Sequence, residues 1–169
     1  MADVNAALAG IRTSFDDLIA AGERCRDTWH TPRAPGKWSP SQVVEHVALA
    51  LEDSANVVSG TPSEFPAVPR VLRSLVRNFV FNRALKKGAF PNGITTRAFT
   101  PSRAPETPAQ ARLRLDSVLV RFAEACRRRA AAGLKVDSHI FGQVPLEDYV
   151  RFQELHTRHH CKQMPATTR

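Results

Sequence analysis

Apolar residues recur at helical spacing through five stretches that contain no proline, the residue that breaks helix interiors. In the first, residues 1–31, Val4, Leu8, Ile11, Phe15, Leu18 and Ile19 repeat on one helical face. The second, 41–61, is preceded by Trp38-Ser39-Pro40-Ser41-Gln42. Ser39 suits an N-cap, Pro40 the first helical position, and Gln42 the far side of a capping box. Trp38 and Val43 are spaced as a hydrophobic staple. The third, 70–90, sets Val71, Leu72, Leu75, Val76, Phe79 and Val80 on one face and Arg70, Arg73 and Arg77 toward the other. The fourth, 109–144, repeats the start signal as Thr107-Pro108-Ala109-Gln110 and carries Leu115, Val118, Leu119, Phe122 and Cys126. Arg127-Arg128-Arg129 fall in its last turn, where cations suit the helix dipole, and Gly133 lies near a C-cap position. The fifth runs from about Pro145 to Met164 and is closed by Pro165. No strand-like alternation and no hairpin-turn signal stands out. The pattern therefore predicts an all-α protein, a four-helix bundle whose long crossover connection holds a shorter basic helix.

Composition agrees with a globular chain. The sequence has 169 residues, 43% hydrophobic and 24% charged, enough for one full core. We expect a single bundle domain over residues 1–165. No window reaches the roughly 18 consecutive apolar residues of a membrane span, and the N-terminus lacks a signal-peptide layout. Cys25, Cys126 and Cys161 are odd in number and widely spaced, as expected of reduced thiols in a cytoplasmic protein.

Charge adds a local feature. The net charge is +8, and residues 65–105 hold eight cations (Arg70, Arg73, Arg77, Arg83, Lys86, Lys87, Arg97 and Arg103) and no acid. The other 16 Lys and Arg match the 16 Asp and Glu. The basic segment lacks a helix-turn-helix signature and the interleaved aromatics that stack on bases. It reads as a solvated connector, or as a rim that selects an anionic substrate. Binding to nucleic acid or an anionic surface is the lesser alternative.

The candidate chemistry lies in the six histidines. His156 and His160 stand one turn apart in Leu155-His156-Thr157-Arg158-His159-His160-Cys161-Lys162-Gln163, a spacing that can place two imidazoles on one metal. Two surface histidines would show the same spacing. His46, in Val43-Val44-Glu45-His46-Val47-Ala48-Leu49, would by itself be a hydrogen-bonded histidine at the core edge. Together the three make a neutral three-histidine set with open positions, the arrangement of catalytic metals.

Lys37-Trp38-Ser39-Pro40-Ser41-Gln42-Val43-Val44-Glu45-His46 resembles the W-[ST]-x-x-[EQ]-x-x-x-H motif of the DinB-like/YfiT-like superfamily. Phe141-Gly142, Tyr149 and His156-Thr157-Arg158-His159-His160 with Gln163 resemble its ending, closest to a branch with an HPxFG…W…HTRHHxxQ pattern. The resemblance covers residues 37–163. It implies a four-helix bundle that binds a divalent metal through His46, His156 and His160, with zinc or nickel as the ion and iron or manganese as alternatives. It also implies metal-dependent hydrolase chemistry or transfer of a low-molecular-weight thiol to a small-molecule substrate, and a homodimer in some relatives. A metal-binding or stress-related interaction protein without catalysis is the competing reading. Ser138 and His139 replace the branch's His-Pro, Tyr149 its tryptophan, and Pro145 its capping threonine, so the entrance to the last helix differs. On the ligand faces, Asp53 and Gln163 are candidate outer partners of the histidines or simply solvated polar groups. His159 and Gln163 are the candidate catalytic side chains. Glu45 points about 100° away from His46 on a helix and is not expected to act as a base. Cys161 is expected to be an ordinary half-buried thiol.

Overall fold

The computed structural model describes residues 2–90 and 97–165 of the chain. Residues 91–96 of the basic crossover lie outside the described residues. The elements are α1 (Ala2–Arg24), α2 (Pro40–Ser59), the short α3 (Arg70–Val76) and α4 (Arg83–Lys87), α5 (Pro108–Ala131), a hairpin of β1 (Val136–Ser138) and β2 (Gly142–Val144), and α6 (Leu146–Cys161). The four long helices form the expected mostly helical bundle, with α3 and α4 in the crossover.

Local chemistry sets the helix ends. Ser39 Oγ accepts from the Gln42 backbone N–H, and Gln42 Oε1 accepts from the Ser39 N–H at 3.0 Å, a complete capping box. Thr107 Oγ1 accepts from Gln110 N at 3.2 Å at the start of α5. Gly60 closes α2 at φ 76°, a left-handed conformation that costs glycine little. α6 begins after Pro145 without a side-chain cap, and Glu147 and Asp148 in its first turn suit the positive end of the helix dipole.

α2 lies along α5 and α1 along α6, and α1 also touches α5. Ile11, Leu18, Val44, Leu51, Leu115 and Phe122 are fully buried between them. Arg114 of α5 reaches Glu52 at 2.6 Å and Glu45 at 3.5 Å, which ties the polar flank of α2 to α5. Gly10 lets α1 approach α6 closely, since a Cβ there would sit 2.8 Å from the buried Glu154 carboxylate. α2 and α6 meet over a shorter stretch, and a cavity opens between them beneath the crossover.

Two expectations are corrected. The fourth helix ends at Ala131, just before Gly133 as expected, but the chain then forms an antiparallel hairpin, where no strand was expected, that pairs Val136 with Val144. Each strand has three residues and the turn lacks an Asn-Gly or Asp-Gly pair, so neither alternation nor turn chemistry stands out in the sequence. The crossover helix also presents a different face. Of the expected apolar stripe, Val76 and Val80 pack against the core, but Val71, Leu72, Leu75 and Phe79 are largely exposed, whereas Phe81 and Ala84 are buried. Residues Arg77–Asn82 adopt a π-helical turn between α3 and α4. That wider turn shifts the phase of the helix, so Phe81 faces the core. Among the described residues, no helix is long and apolar enough to cross a membrane.

Candidate metal centre

His46 projects from the middle of α2, and His156 and His160 from successive turns of α6. Their Nε2 atoms converge: His156 lies 3.0 Å from His160 and 3.3 Å from His46. One nitrogen from each ring fits within a sphere of mutual distances no greater than 4.8 Å, so the triad could hold a metal ion.

The atoms behind two of the rings determine their tautomers. His46 Nδ1 lies 2.8 Å from the Phe99 carbonyl oxygen, which can only accept, so Nδ1 carries the proton. His160 Nδ1 donates likewise to Gln163 Oε1 at 2.9 Å. Both Nε2 atoms therefore present lone pairs to the centre, as metal-ligating histidines held from behind do. A neutral His156 can answer these lone pairs only through the single N–H of its own Nε2, whereas a cation answers all three nitrogens together. The donor set fits a divalent ion.

Electrostatics favour the same neutral state. Burial holds His46 below its ordinary pKa, although its bond to Phe99 works the other way. Burial first, then the neighbouring His160 and His46, hold His156 well below it. Burial and His46 bring His160 down to about 3. Below about pH 6.5 an unfolded imidazole binds a proton that the folded triad resists. The triad's contribution is therefore fully present above that pH and lost as pH falls toward 3. Urea denaturation of metal-free protein should give a lower midpoint at pH 5 than at pH 7.5, and His160→Gln should flatten that slope. An unchanged slope would reject buried neutral histidines as its source.

Aromatic rings wall the centre. Trp38 sits with its ring centroid 4.7 Å from that of His46 and 6.4 Å from that of His160, and Phe90 lies 4.9 Å from His156. The triad opens on a cavity of about 700 Å³ lined mainly by apolar side chains. Arg33 and Lys37, on the loop before α2, supply its cations. Of the two readings of the basic crossover, the described residues agree with the solvated connector, since none of its cations is among those lining the cavity. The crossover's share of the lining is Phe65, Val68, Val76, Phe79, Val80, Phe90 and Phe99, while Arg73 and Arg77 bond the carbonyls of Val68 and Gln143. A connector that packs on the bundle must turn apolar groups inward, so its arginines face outward or bond backbone.

The remaining candidates separate cleanly. Gln163 joins His160 to His159, its Nε2 donating to His159 Nε2 at 3.0 Å. A neutral His159 must then carry its proton on Nδ1, which makes it a donor there rather than a base. Asp53 does not reach the triad: it accepts from Ser63 Oγ at 2.7 Å and Glu64 N at 2.8 Å and ties down the loop after α2. Glu45 is engaged with Arg114. The Cys161 thiol donates toward the Ser14 carbonyl, and burial pushes its pKa up to about 11, as befits an unreactive thiol. Sequence reasoning missed Trp38 as a wall of the site and the Phe99 carbonyl as the support of His46. The tryptophan's place just before the helix cap was a usable signal. A backbone carbonyl 53 residues from its partner leaves none.

A family model described as the DinB superfamily matches residues 11–164. No curated protein matches the chain, and no solved structure does.

Proposed function

The chain belongs to the DinB superfamily, and from that membership we propose that it is a divalent-metal-dependent enzyme, a thiol S-transferase acting on a small, largely apolar molecule. His46, His156 and His160 would hold the ion, and three neutral imidazoles suit zinc or nickel. The observation that carries the reading is the open side of the triad. A purely structural metal is enclosed by its ligands, whereas these three nitrogens face a cavity large enough for a substrate. When bound, the ion supplies Lewis acidity that lowers the pKa of a thiol or water reaching it.

The chain's own residues do the rest. Phe99 and Gln163 orient the ligand rings, and Trp38 and Phe90 keep bulk water from their faces. His159 offers a hydrogen-bond donor beside the centre. Arg33 and Lys37 favour an anionic group at the entrance. Of the nearby carboxylates, Glu45 is held by Arg114 and Asp53 by Ser63 and Glu64, so neither is free to activate water. That favours thiol transfer over hydrolysis, since a thiol starts from a far lower pKa than water and ionises fully beside the ion without an added base.

Elemental analysis of protein purified without added metal should find close to one divalent ion per chain. Nickel-loaded protein should then show a thiolate-to-metal absorption band with a matching low-molecular-weight thiol. Absence of any ion would reject the reading. An ion with no response to thiols would leave a metal-binding protein and reject the transferase.

A further inference from the structure

Gln153 is 7% exposed, lines the cavity, and makes no side-chain hydrogen bond among the described residues. An amide buried without partners costs roughly 1–3 kcal/mol, and most buried polar side chains are satisfied. Its surroundings explain why no partner reaches it. On one side, His156 of α6 meets His46 of α2 at 3.3 Å; on the other, the Tyr149 hydroxyl donates to Ser54 Oγ at 3.5 Å. Between these two contacts the helices run antiparallel, and the spacing sets Ala50 opposite Gln153. A methyl group there offers no hydrogen bond and leaves room. Along α6, Gln153 precedes His156 by three residues, an axial rise of about 4.5 Å.

We propose that Gln153 is the substrate-reading group of this cavity and pairs with a carboxamide or peptide-type amide carried by an apolar ligand. The side-chain amide offers one acceptor and two donors, so the complementary ligand group must also present both a C=O and an N–H. The apolar and aromatic walls would take the ligand's hydrocarbon body, and the pairing would place its amide within one helical turn of the triad. An apolar residue at 153 would fit this wall better, so the amide is retained at a cost to stability, as recognition groups often are. The inference rests on the proposed function only in placing the substrate in this cavity.

The test uses metal-free protein, so that failure of the metal reading leaves it intact. Benzamide and acetophenone have nearly the same shape and share a carbonyl, but only benzamide adds an N–H donor. Ligand-detected NMR titration should show benzamide binding about tenfold tighter, the effect of about 1.4 kcal/mol of hydrogen bonding. In Gln153→Met that preference should vanish and the Tm of the ligand-free protein should rise by a few degrees. Equal affinity of the two probes for the unsubstituted protein would overturn the proposal, whatever the variant does. A preference that survives in Gln153→Met, or a fall in its Tm, would also overturn it.

Discussion

Replacing His156 with Ala is expected to lower divalent-metal affinity by more than about a hundredfold, beyond the 10–100-fold typical of losing only an outer hydrogen-bond partner. His156 is the middle member of the triad, with its Nε2 within 3.3 Å of both other rings' Nε2 atoms. Its loss leaves one imidazole on α2 and one on α6, too few to retain an ion against water. The fold should survive, because the ring is only half-buried and closes no helix cap. His159→Ala is the control. It removes a histidine from the same turn but no nitrogen from the triad, and should keep close to a full equivalent of metal. Calorimetric titration and elemental analysis measure both. Full retention by His156→Ala, with an unchanged circular dichroism spectrum, would sink the ligand assignment.

The second large effect concerns stability. Phe81→Ala should cost about 3–5 kcal/mol, the range for deleting a large buried aromatic ring. Phe81 is 1% exposed, and its ring lies 5.1 Å from Phe141 and 5.0 Å from Phe152. Phe152 in turn contacts Phe90 at 4.8 Å, and Phe90 contacts His156. This chain of rings fastens the crossover over the bundle and ends at the triad. Val71→Ala, at a site 87% exposed on the same crossover, should change stability by about 0.5 kcal/mol or less. Guanidinium unfolding of the two variants decides the matter. If Phe81→Ala cost no more than Val71→Ala, the crossover would not belong to the cooperative core.

These two variants also show where sequence reasoning reached and where it stopped. Val71, Leu72 and Leu75 satisfied the helical period yet are largely exposed, Val76 and Val80 of the same stripe pack on the core, and Phe81, off the stripe, became the anchor. A period of 3.6 residues presumes an unbroken α-helix, and one π-helical turn shifts the phase of everything after it. The hairpin at 136–144 escaped notice for a related reason: three-residue strands are shorter than any alternation that could announce them. Gln153 precedes His156 by one turn on α6, but its burial without a side-chain partner depends on how α6 packs against another helix.

What the sequence determined by itself was local or periodic. The four long helices, the capping box at Ser39, the glycine stop near residue 133 and the one-turn spacing of His156 and His160 all come from residues within a few positions of one another. The motif around Trp38 and His46 carried the superfamily and, through it, the third histidine. Tertiary structure decided everything that needed two distant segments to meet. It brought α2 within 3.3 Å of α6 at the imidazoles, and it set the Phe99 carbonyl behind His46 to orient a lone pair inward. It also placed apolar rather than cationic crossover residues over the cavity. Hydrophobic burial chooses which face of a connector turns inward, and that choice exists only once there is a bundle to cover.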